Sequence, residues 1–339
     1  MQTRAGITYG PSRRSSRAGG SPLKPSYAPS ASGQFIGRFD KGRAVRAAFL
    51  VLHVLGFLAH TAGVLVVLFC TEIDAELHLW RLQPEYTTTF KRNYIAMKAE
   101  PDVTLKPAWI AFVWFFCSAL FHAVVLTSWA CGTIDDWYFY GLADNVGFWR
   151  WLEYSASASI MLLGASSLLG TRETRVVVAS TVSMGVTMFF GYLTEKNATR
   201  HIDYGKGLPL KWDSPFFKGD WNVFDRFLPH LLGYVPFALS WWLALDSYYL
   251  ATDAYTSSGA LVPDAGEALW AGFGLFMLFG SVQFLLLAFE QGPHYYWCGE
   301  MAYVILSVAA KFTMAMILVF RGLTPERVAQ AASVVVQAA

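Results

Sequence analysis

Seven stretches of this chain are long and apolar enough to cross a bilayer, and that one feature constrains the fold more than any other. A hydrocarbon core needs about 20 residues of apolar helix. Residues 47–70, 107–130, 176–194 and 268–289 meet this without a formal charge. Residues 149–169 carry Arg150 and Glu153, 227–250 carry Asp246, and 301–320 carry Lys311. The runs are continuous rather than alternating, which excludes a membrane β-barrel. Only helices and closed barrels satisfy the backbone in lipid, so the expectation is an all-α membrane protein with a seven-transmembrane-helix bundle over 47–321.

Composition agrees. Hydrophobic residues make up 55% of the 339 and charged residues 15%, against about 25% charged in soluble domains. A disordered chain and a nucleic-acid binder are excluded, and a soluble two-domain enzyme is disfavoured. The segments between spans are too short for a core of their own, so any chemistry sits inside the bundle. No nucleophile elbow, phosphate-cradling glycine loop or metal-ligand spacing is present, and the chain reads as a non-enzyme. The four cysteines, Cys70, Cys117, Cys131 and Cys298, show no paired spacing.

Lys and Arg counts set the orientation. With residues 1–46 inside, the inner segments hold 16 of these cations and the outer segments 9. The N-terminus is therefore expected in the cytoplasm and the C-terminal segment 322–339 outside, in a plasma membrane rather than an organelle. The basic tail 1–46, rich in Arg, Ser, Gly and Pro, reads as disordered. It suits an anionic lipid surface or, as the alternative, a transit peptide. In the first outer loop, β-prone runs at 85–90 and 93–97 predict a short β-hairpin. Residues 195–226, with Gly205, Gly207, Pro209 and Pro215, read as an irregular inner loop. Thr324 and Pro325 can open a short helix after the last span.

Lys311 is the most informative residue. It lies midway along the last span, where a bare ammonium is costly. It is either neutral, and then a nucleophile able to form a Schiff base, or paired as a structural or transport-site charge. Glu153 in the third span is its natural partner, and Arg150 one turn earlier can keep that carboxylate ionised. His53 and His60 in the first span project from one side, and His122 lies in the second. Such histidines are more often structural than proton-carrying. Asp246 suits the interface, and Glu290 and Glu300 read as solvated ends beside the last inner loop.

Two local motifs go further. The run Trp149-Arg-Trp-Leu-Glu-Tyr-Ser-Ala-Ser-Ala158 resembles the third-helix signature of the heliorhodopsins. Gly299-Glu-Met-Ala-Tyr-Val-Ile-Leu-Ser-Val-Ala-Ala-Lys311 resembles their seventh-helix signature. His60 and His122 match the family's histidines, and the resemblance covers roughly 47–320. It implies a rhodopsin-like bundle, an inverted orientation, a homodimer and an unknown cytoplasmic signalling partner. Lys311 would hold all-trans retinal as a protonated Schiff base, with Glu153 as counterion and Ser307 and Ser157 hydrogen-bonding nearby. His60, His122 and Arg150 would form an inner polar cavity. Tyr154, Met161, Gly191, Pro236, Phe276, Gln283 and Tyr296 would line the retinal.

The resemblance implies a photoreceptor with a slow photocycle. Relatives that conduct protons in light keep a channel as the alternative, and a non-photoactive scaffold is a third class. A pump is disfavoured. Pumps usually place an aspartate one turn before the lysine, where Ser307 stands, and a carboxylate eleven residues after the counterion, where Gly164 stands.

Overall fold

The computed structural model describes residues 43–89, 92–143, 146–168, 171–200, 221–257, 266–288 and 293–322. Seven long helices run through these residues: α1 (Arg43–Cys70), α2 (Pro107–Ala130), α3 (Phe148–Leu168), α4 (Thr174–Arg200), α5 (Trp221–Ser257), α6 (Gly266–Ala288) and α7 (Pro293–Gly322). A five-residue π turn (Asp135–Phe139) and a single helical turn (Tyr140–Ala143) bridge α2 and α3. Residues 1–42 of the basic tail, the proposed helix at Thr324, and Glu290 lie outside the described residues, whereas residues 43–46, read from sequence as disordered tail, form the first turn of α1.

Six of the seven helices are long and apolar enough to cross a membrane. The exception is α3. Its 21 residues still reach about 32 Å at 1.5 Å per residue, enough for the hydrocarbon core. It lacks apolarity because Arg150, Glu153, Ser157, Ser166 and Ser167 are all buried in the bundle. Its outward residues, such as Leu152, remain exposed apolar groups. The chain is thus an integral, multi-pass membrane protein whose third helix keeps its polar groups away from lipid.

Packing follows the logic of a membrane bundle, in which small residues permit close helix approach. Gly56 on α1 shows this: a Cβ there would lie 2.6 Å from Nε2 of His122 on α2. The main apolar core joins α2, α3, α4, α5, α6 and α7 through Trp114, Met161, Leu162, Met184, Trp241, Leu269 and Tyr303. A second cluster, at the end away from the hairpin, packs Phe49, Val125, Tyr138, Phe139, Tyr296 and Trp297.

The predicted hairpin exists and is longer than the sequence runs indicated. Strands β1 (Leu77–Thr89) and β2 (Arg92–Leu105) pair antiparallel, from Leu77 with Leu105 to Thr89 with Arg92. It docks on the α3–α4 connection, where Trp80 N donates to Arg172 O at 2.8 Å and Thr174 Oγ1 to Trp80 O at 3.3 Å. Leu77 and Leu79 pack with Val177 beneath it. The loop reading of 195–226 needs correction at both ends, since α4 continues to Arg200 and α5 begins at Trp221. Residues 201–220 lie outside the described part. All four cysteines are free.

Candidate functional site

Lys311 projects from the middle of α7 into the bundle and is 3% exposed. Its Nζ donates to Glu153 Oε1 at 2.7 Å and to Ser307 Oγ at 2.9 Å. Ser307 stands one turn earlier on the same helix, so helical spacing alone aligns the pair. Glu153 reaches the amine from α3. Ser118 on α2 donates to the same Glu153 oxygen at 2.6 Å. Three helices thus converge on one carboxylate oxygen, which satisfies a charge that would otherwise be stranded away from water.

A slot opens beside this amine. It is lined by Tyr154, Ser157, Met161, Phe276, Ser307 and Lys311, among others. Tyr154 is held by its hydroxyl donating to Tyr303 O at 2.8 Å. Gly191 and Gln283 line an adjoining cavity that shares Met188, Phe276 and Phe279 with the first. Gly191 faces the Trp151 indole so closely that an added Cβ would collide with it. A buried amine, one carboxylate and an apolar, aromatic slot fit retinal: an aldehyde meets the nitrogen, and a polyene and ring meet hydrocarbon walls. Lys311 would hold it, with Tyr154, Met161 and Phe276 along its length.

Two residues assigned to that pocket stand elsewhere. Pro236 is half-buried on α5 and lines neither cavity. Tyr296 is buried at the end away from the hairpin, where its hydroxyl donates to Glu195 Oε2 at 3.1 Å.

Arg150 also has different partners from those expected. It pairs with Glu195 from α4 and Glu300 from α7, rather than with Glu153. Glu195 takes a further bond from Gly147 N at 2.8 Å. The Arg150 guanidinium carbon sits 4.2 Å from the Tyr303 ring centroid. Glu300, read from sequence as a solvated end, is 1% exposed, as is Glu195. Geometry explains the miss at Glu300. It stands eleven residues before Lys311, three turns with about 20° of drift, so both share one face of α7. That spacing was visible in the sequence. Glu195 gave a weaker signal, one turn after Gly191. Ser118 gave none, because only the packing of α2 on α3 brings it to Glu153.

The histidines lie between these two charged centres. His60 Nδ1 meets Gly56 O at 2.7 Å. A carbonyl only accepts, so Nδ1 carries the proton and Nε2 is an acceptor, one without a partner among the described residues. His60 stacks on His122 with ring centroids 5.3 Å apart. His122 Nδ1 meets His53 Nδ1 at 2.8 Å, and His53 Nε2 meets the Tyr138 hydroxyl at 3.2 Å. Tyr138 donates to Glu300 Oε1 at 3.3 Å. Tyr138 lies in the π turn outside the spans, and burial pushes its phenol up, so it stays a donor.

These contacts assign the proton positions. Tyr138 gives its only proton to Glu300, so its oxygen accepts from His53 Nε2–H. His53 Nδ1 then accepts from His122 Nδ1–H. The result is a one-way hydrogen-bonded chain from His122 through His53 and Tyr138 to Glu300, whose carboxylate also pairs with the Arg150 guanidinium. His53 and Tyr138 thus connect His122 to the Arg150 cluster through hydrogen bonds.

Comparison with known proteins places this arrangement. No curated protein matches the chain. The crystal structure of thermophilic rhodopsin is similar, with a TM-score of 0.54 at 13% identity, covering 86% of this chain and 96% of that one. That likeness establishes a rhodopsin fold. The heliorhodopsin family model matches residues 49–323, a stretch that includes Lys311, Glu153 and the histidine chain. This protein belongs to the heliorhodopsin family.

Proposed function

We propose that the protein is a light-sensing retinal protein, a photoreceptor with a slow photocycle that signals through its N-terminal side. One observation carries the reading: a mid-helix lysine amine held 2.7 Å from a buried carboxylate at the mouth of an apolar slot. Lys311 would hold all-trans retinal as a protonated Schiff base, and the bound group would supply visible absorption and light-driven isomerisation.

The other work belongs to the chain's own side chains. Lys311 provides the nucleophilic nitrogen. Glu153 holds a negative charge beside that nitrogen, and Ser118 and Ser307 fix the positions of both. Tyr154, Met161 and Phe276 exclude water from the slot. His60 Nε2 is a vacant proton acceptor in the same half of the bundle as the histidine chain. A proton held there changes the field felt by His122 and, through it, Glu300 and Arg150. That cluster joins the ends of α3, α4 and α7 that face away from the hairpin. On the orientation favoured by the Lys and Arg count, this is the cytoplasmic side, where a signalling partner would read the change. A homodimer in the plasma membrane fits the same reading.

The hydrogen-bonded chain from His122 to Glu300 favours one second reading, a light-gated proton channel. A single preparation separates the two. Cells expressing the protein with all-trans retinal are examined for a visible band and for current under light. A band without current supports the sensor. A band with a current that reverses with the proton gradient makes it a channel. The absence of any band discards both and returns Lys311 to a structural or transport-site charge.

A further inference from the structure

The cavity beside Lys311 has a second compartment. Lys311 and Ser307 line only the first, while Gln283 and His230 line only the second. Met188, Phe276 and Phe279 line both, so the compartments adjoin. The second is the distal one. On α6, Gln283 stands seven residues beyond Phe276, about 10 Å further along the axis. A polyene attached at Lys311 and passing Phe276 would deliver its ring there.

The walls of this compartment are mostly aromatic and glycine, yet buried polar atoms interrupt them, among them those of Gln283 and His230. Gln283 is 2% exposed. Its Oε1 accepts from the Tyr303 hydroxyl at 2.5 Å, which leaves the Nε2 donor over on a residue that lines the cavity. That Nε2 has no partner among the described residues, and neither does Nε2 of His230, 7% exposed. A plain hydrocarbon ring would leave both atoms stranded, and buried polar groups are normally paired. One oxygen on the ring would satisfy them: it accepts from Gln283, and a hydroxyl also engages His230.

We propose that the distal compartment selects a ring-oxygenated retinal, one whose ring carries a hydroxyl or ketone received by Gln283 and His230. The inference rests on the retinal reading of Lys311. It extends that reading from the kind of chromophore to its substitution.

The test is a competition. Membranes carrying the full-length protein receive equal amounts of all-trans-retinal and all-trans-3-hydroxyretinal, and in a second sample all-trans-retinal and 4-oxoretinal. The bound chromophore is extracted and its composition measured by chromatography. The oxygenated form is enriched by about tenfold, the worth of one net hydrogen bond. In Gln283→Leu the ratio falls towards one. The ratio counts only molecules that took up chromophore, so a poorly folding variant loses yield without changing it. If Gln283→Leu binds nothing, His230→Phe carries the comparison and also lowers the ratio. Equal uptake by the native protein overturns the inference, as does a preference unchanged in the variant. If the native protein binds neither aldehyde, the retinal reading itself falls, which is a different result from equal uptake.

Discussion

Lys311 Nζ and Glu153 Oε1 lie 2.7 Å apart across 158 residues of chain. The pair spans α3 and α7, and Ser118 and Ser307 complete its hydrogen bonds from α2 and α7. Each partner makes the other tolerable in the membrane. Removing either leaves an uncompensated buried charge or forces neutralisation.

Lys311→Ala is expected to abolish the pigment. The variant is expressed with all-trans retinal and its visible spectrum compared with the native protein. A band of normal position and strength would rule out Lys311 as the attachment site.

Glu153→Gln is expected to shift the visible band to the red, because the carboxylate stabilises positive charge at the nitrogen in the dark state. The sign in pH follows from the same charge. Without the anion, the protonated nitrogen loses its proton more readily, so the visible band disappears at lower pH than in the native protein. A displacement of at least about one pH unit is expected, equivalent to about 1.4 kcal/mol. A pH titration of the spectrum checks it, and an unchanged midpoint would assign the counterion role to another group.

Ser118→Ala is expected to lower the pH at which the visible band disappears, as Glu153→Gln does but by less, because the carboxylate loses a donor that stabilises its charge. It removes one hydrogen bond to a charged oxygen and leaves the ion pair in place. A pH titration of the spectra of the two variants decides it. A shift as large as that of Glu153→Gln would mean that Ser118 does more than position the carboxylate.

Arg150→Ala is expected to destabilise the fold by about 3–5 kcal/mol, since Glu195 and Glu300 would be left buried without their cation. Thermal unfolding in detergent measures it. Adding Glu195→Gln and Glu300→Gln should recover much of the loss. A single Arg150→Ala variant as stable as the native protein would show that the cluster is hydrated.

Tyr138→Phe removes the one proton that links His53 to Glu300. If the chain carries protons, a light-driven current falls by about tenfold or more while the visible band persists, because Tyr138 lies outside the slot. Voltage clamp and absorption on the same cells check both halves. An undiminished current would place the proton path elsewhere.

Much of this was legible in the chain. Apolar runs of bilayer length mark the helices, because lipid demands that each helix satisfy its own backbone. A lysine at mid-span and a carboxylate in a serine-rich span mark themselves, because such groups are too costly in lipid to stand without a partner. The hairpin announced itself through β-prone runs, although its full length came from pairing that no single strand reveals.

The partners of the inner charges were not legible. Arg150 and Glu153, one turn apart on α3, read as a local pair. In the bundle Arg150 turns to Glu195 and Glu300, and Glu153 turns to Lys311 and Ser118. Glu300 looked like the solvated end of a span, and Tyr296 like a wall of the pocket. Both belong to the ion cluster, because α3, α4 and α7 meet there. The sequence by itself determined which segments enter the membrane and which polar residues go with them. Only the tertiary structure decided which of those residues meet, since the choice depends on helix rotation and packing between segments far apart in the chain.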